Sequence, residues 1–68
     1  MIIKDIEITN EMGLKLLMED ELFIVKLYER NLSGHKENVV YKCKVIDSSI
    51  EEMIEHINKT HNIIMQQQ

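Results

Sequence analysis

Glu21-Leu22-Phe23-Ile24-Val25-Lys26-Leu27-Tyr28-Glu29-Arg30 is the stretch on which the fold turns. It reads as a β-strand that is apolar on both faces. Successive side chains of a strand point to opposite sides, so Phe23, Val25 and Leu27 share one face. Leu22, Ile24 and Tyr28 share the other, with Lys26 among them. A strand of this kind calls for cover on two sides.

Working outward, the segment from Ile2 to Ile8 alternates and predicts a half-buried strand, with Ile2, Lys4, Ile6 and Ile8 on one side. Thr9-Asn10-Glu11-Met12-Gly13 predicts a turn. Residues 10–18 admit two readings, a strand or a short helix. The strand is preferred because Leu14, Leu16 and Met18 alternate, and because Glu19-Asp20 then makes a tight hairpin into the strand at 21–30. The polar run Asn31-Leu32-Ser33-Gly34-His35-Lys36-Glu37-Asn38 predicts the loop of a second hairpin. Val39 to Ile46 predicts the returning strand, with Val39, Tyr41, Cys43 and Val45 on its apolar face and Lys42 and Lys44 on the other.

Ser48 with Glu51, and Ser49 with Glu52, both have capping-box spacing. Ile50, Met53, Ile54, Ile57, His61 and Ile64 then recur at helical steps, predicting a helix of about 12–16 residues. Asn62 is its expected end. The fold expected is therefore α+β: an antiparallel β-meander of three to four strands with one C-terminal helix packed on one face. Residues 1–65 would form a single domain and residues 66–68 a disordered polar tail.

One helix covers one face of the sheet, so the second face predicts a partner. Chain length points the same way. A single core in a chain below roughly 70–80 residues supplies only about 3–5 kcal/mol, and many such chains add a staple. This one has 68 residues and a single cysteine, so it has no internal disulfide. Its three histidines make no zinc pattern with that cysteine. Oligomerisation is the remaining common device. A homodimer or higher oligomer is expected, through the open face of the sheet or an edge strand.

A net charge of −4 argues against a general nucleic-acid binder. The N-terminus meets charge at Lys4 and predicts no signal peptide. No apolar run reaches the ~18 residues of a membrane span. With one free thiol, the expected location is the cytoplasm. The chain has 11 Ile and no Ala, Pro or Trp, a bias towards A/T-rich codons.

Candidate chemistry is sparse. His61 falls within the helix stripe and reads as a histidine at the rim of the core rather than a pH switch. His56 and His61 lie about 140° apart on a helix and cannot share a metal; His56 is expected to face solvent near Glu52. Cys43 reads as a buried structural thiol rather than a nucleophile partnered by His61. Asp5, Glu7, Glu29 and Glu37 read as a solvated face, since paired-carboxylate chemistry needs a cleft. No catalytic residue, cofactor site or metal site is predicted.

The expectation is a small non-enzymatic protein-interaction factor acting as a homo-oligomer. Size and codon bias fit a phage- or mobile-element-encoded inhibitor or regulator of a host protein. Its contact surface is predicted at Leu22, Ile24, Lys26, Tyr28, Lys42 and Lys44. The alternative is a nucleic-acid-associated module in which Lys26, Lys42 and Lys44 flank Tyr28 on the sheet.

Overall fold

The computed structural model describes residues 1–31 and 33–67. Leu32 of the expected loop and Gln68 of the expected tail lie outside the described residues. Four strands, β1 (Ile2–Glu7), β2 (Met12–Glu19), β3 (Leu22–Asn31) and β4 (Gly34–Lys44), form one antiparallel sheet in the order β1-β2-β3-β4. A single 3-10 turn, Val45–Asp47, leads to helix α1 (Ile50–Gln66), which packs on the sheet over β2. The fold is α+β, a meander followed by a covering helix.

β3 divides its side chains as its alternation requires. Phe23 and Val25 join Leu14 and Leu16 of β2 and Met53 and Ile57 of α1 in the buried core. Residues 10–18 contain strand, not helix. β2 begins earlier than expected, however, and Gly13 is a buried strand residue rather than part of a turn.

The β2–β3 hairpin turns on two residues, Asp20 and Glu21, with φ of 48° and 65°. Positive φ at both central positions is the geometry that matches the right-handed twist of the flanking strands. The turn sits one residue later than expected, because Glu19 pairs with Leu22.

The polar loop expected at 31–38 is strand instead at Asn31 and from Gly34 to Asn38. Asn31 pairs with Gly34, and the ladder runs unbroken through His35, Lys36, Glu37 and Asn38. The Asn31 side-chain oxygen accepts from the Ser33 N–H (2.9 Å) and hydroxyl (2.6 Å), which closes the turn locally. This arm is polar because β4 is an exposed edge strand. Polarity alone made it resemble a loop.

Bulges change the faces of both edge strands. In β1 the register slips between Ile2 and Lys4, so Ile2 lies opposite Leu17 on the open face, away from Ile6. In β4 it slips between Val39 and Tyr41, so Val39 lies opposite Lys26 on the open face while Tyr41 and Cys43 keep the helix side. An extra residue on one strand reverses the side-chain parity beyond it.

Of the two capping-box spacings, the one that caps the helix starts at Ser49. Its hydroxyl accepts from the Glu52 N–H (3.2 Å), and Ser48 donates to the Glu52 carboxylate (2.9 Å). Glu51 and Glu52 stand at the positive end of the helix dipole. The helix continues past Asn62 to Gln66, because Ile64 still packs against the core.

Candidate functional site

The shortest dimension of the molecule is 15 Å. A sheet and a helix pack about 10 Å apart, so among the described residues no third layer covers the other face. Yet Ile24 and Tyr28 on that open face are each only 5% exposed. Neighbouring side chains of the same sheet provide the shielding.

Tyr28 lies opposite Gly13, and its ring occupies the space a Cβ there would need. Glycine is required by this close approach, not by a turn. The Lys15 ammonium sits 4.9 Å from the ring centroid and the Arg30 guanidinium 5.3 Å from it. His35 stacks at 6.0 Å. The phenol donates to the Asp5 carboxylate at 3.0 Å. Burial pushes the phenol above its ordinary value of 10, and the bond to Asp5 and its charge push it further.

Beside the ring, Glu37 gathers three cations or potential cations: Lys15 (2.5 Å), His35 (3.1 Å) and Lys26 (3.7 Å). Hydrogen bonds from Lys15 and His35 hold its carboxyl down to about 2. Asp5 and Glu37 are thus engaged with partners on the sheet rather than paired for acid–base work. Among the described residues, no three His, Cys, Asp or Glu side chains are grouped to hold a metal ion.

The predicted contact residues do share one face. Leu22 lies opposite Lys44, Ile24 opposite Lys42, Lys26 opposite Val39 and Tyr28 opposite Glu37. They differ in availability. Ile24 and Tyr28 are buried, Lys26 is held by Glu37, Leu22 is half-buried, and Lys42 and Lys44 are exposed. Sequence reasoning missed Gly13, Lys15 and His35 as members of this layer, and took Asp5 and Glu37 as merely solvated. It also missed Ile46, which is 86% exposed beside Leu22. Asp20, Glu21, Leu22, Lys44 and Ile46 line a recess at that corner. The backward continuation of the Leu14–Leu16 alternation through Met12 was the available signal for Gly13.

Cys43 is half-buried, with its thiol 3.6 Å from the Met53 sulfur. His61 is also half-buried but lies about 12 Å further along the helix at 1.5 Å per residue, so the two do not form a pair. His56 does not face solvent near Glu52. It is half-buried with its ring 4.2 Å from that of Tyr41, closing the β4 side of the core. No helix of the described residues is long and apolar enough to cross a membrane. Compared with protein-family models, with curated proteins and with solved structures, the chain matches none.

Proposed function

We propose that the chain is a small non-enzymatic protein-interaction factor that works as a homo-oligomer and regulates another protein by binding it. The observation that carries this reading is the exposed apolar corner where β4 meets α1. Ile46 stands almost fully in solvent next to the half-buried Leu22, with Lys42 and Lys44 beside them and the recess between. An exposed isoleucine costs a small chain solubility and adds nothing to its core. An apolar side chain flanked by a carboxylate on a partner protein would satisfy Ile46 and Lys44 together.

The test is affinity capture with wild type and with Ile46→Lys and Lys44→Glu variants. A stoichiometric partner that is lost with both variants supports the reading. The same captured set for all three proteins sinks it. Because these residues are exposed, circular dichroism of the variants should be unchanged.

The nucleic-acid reading retains one favourable observation: Lys42 and Lys44 are exposed on adjacent rungs of one face. Against it, Lys15 and Lys26 are engaged with Glu37, and Tyr28 is buried under Lys15 and Arg30 instead of presenting its ring. Salt-dependent retardation of a single-stranded oligonucleotide, abolished by Lys42→Glu, would favour this alternative.

A further inference from the structure

We infer that β4 pairs antiparallel with β4 of a second copy, about a two-fold axis between Val39 and Val40, joining two sheets into one of eight strands. This rests on the homo-oligomer part of the reading above; Leu22 and Ile46 lie outside the paired strand, while Lys44 comes opposite the partner's His35. β4 is the last strand of the sheet, eleven residues long, and its outer backbone groups have no strand beyond them among the described residues. The opposite edge, β1, is shorter and turns Lys4 towards the helix side opposite Leu16, a charge that discourages pairing there.

The bulge restricts the register. A two-fold axis perpendicular to the sheet keeps the open face continuous, so open-face residues must lie opposite open-face residues. In the first half of β4 these are His35, Glu37 and Val39; in the second half they are Lys42 and Lys44. The slip at Val40 changes the parity between the halves, and so requires an axis between two residues rather than on one.

With the axis between Val39 and Val40, Glu37 lies opposite the partner's Lys42, and the symmetry repeats this ion pair. Val39 and Val40, 51% and 50% exposed, meet the partner's Val40 and Val39. Tyr41 lies opposite the partner's Asn38 on the helix side. Placing the axis on Val40 or on Val39 instead sets Lys36, on the helix side, against the partner's open-face Lys44 or the partner's open-face Lys42, and so breaks the continuity of the faces. Of the next parity-matched registers, one pairs Glu37 with the partner's Lys44 but sets Val39 against the partner's Lys42, and the other sets Val40 against the partner's Glu37; the inferred register combines the ion pair with valine against valine.

In the inferred register Lys36 faces the partner's Cys43, which makes the arrangement testable by a disulfide. Lys36 is exposed, so Lys36→Cys should fold normally. The variant, incubated with a mild disulfide oxidant, should form a covalent dimer between the introduced thiol and the partner's Cys43. Each thiol loses its proton, the sulfur–sulfur bond forms, and the pair transfers two electrons to the oxidant. Adding Cys43→Ser should abolish the link. Wild type should be dimeric by light scattering behind a sizing column, and Val40→Lys should weaken the dimer at least about tenfold. A monomer from micromolar to millimolar concentration would overturn the inference, the bulge and lysines then acting as edge guards. A dimer that does not cross-link would overturn it too, by locating the interface elsewhere. Neither result touches capture tested by Ile46→Lys, because Ile46 lies outside the paired strand.

Discussion

The ring of Tyr28 on β3 lies across the bare backbone of Gly13, its rung partner on β2, and each residue requires the other. Without a side chain at position 13 the ring can lie flat on the sheet. With the ring there, the exposed backbone of a glycine in a strand is covered. This pairing closes one end of a sheet face that has no second layer among the described residues. Gly13→Ala would place a methyl group inside the ring and 2.7 Å from the Ile6 carbonyl oxygen. It should cost about 1–3 kcal/mol as an overpacking defect. Tyr28→Ala should cost about 3–5 kcal/mol. Urea denaturation of both variants checks this. An unchanged midpoint for Gly13→Ala would show that the ring does not occupy this position.

Tyr28 should also titrate late. Burial and the carboxylate of Asp5 both disfavour the phenolate, so its absorbance change should come above pH 10. Tyr28→Phe identifies which of the two tyrosine titrations belongs to it. Asp5→Asn removes the charge and should bring the titration down. A phenol indifferent to Asp5→Asn would contradict the 3.0 Å hydrogen bond.

Glu37 should remain ionised well below the ordinary glutamate value of 4.5. Its folded value of about 2 lies below the ordinary 4.5. The sign follows from linkage: a depressed carboxyl stabilises the fold fully above 4.5, and that contribution disappears as pH falls from 4.5 through 2. A carboxyl-detected NMR titration reads the value directly, and Lys15→Met should move it up towards 4.5. The stability difference between wild type and Glu37→Gln should shrink across the same interval. A difference that stays constant as pH falls through it would exclude this role for Glu37.

Glu21 occupies a left-handed position at φ 65° with a side chain that gains nothing from it. Left-handed backbone costs a residue with a Cβ roughly 1–2 kcal/mol. Glu21→Gly should therefore stabilise the protein by about 1 kcal/mol, seen as a higher melting temperature. A destabilised variant would mean that the turn has a different geometry.

The two serines before α1 are separable. Ser49→Ala removes the acceptor for the Glu52 N–H and should cost about 1 kcal/mol. Ser48→Ala removes only an exposed bond to the Glu52 carboxylate and should cost less. Equal losses measured by thermal denaturation would mean that the cap is shared.

Elements whose signals are local were legible in the sequence. The two faces of β3 follow from alternation, and the start of α1 follows from a hydroxyl and a carboxylate at capping spacing. The meander with one covering helix follows from short connections between strands. The candidate surface was legible as a face but not in its availability. Leu22, Ile24, Lys26, Tyr28, Lys42 and Lys44 share a side, yet Ile24 and Tyr28 are buried within it.

What only the tertiary structure decided depends on the neighbouring strand. Gly13 resembles a turn residue until Tyr28 is known to lie opposite it. His35, Lys36, Glu37 and Asn38 resemble a loop until β3 pairs with them. Ile2 and Val39 change sides because each bulge is a mismatch in length between two strands, and such a mismatch is a property of the pair. Alternation within one segment records which residues share a face only while the partner keeps step with it.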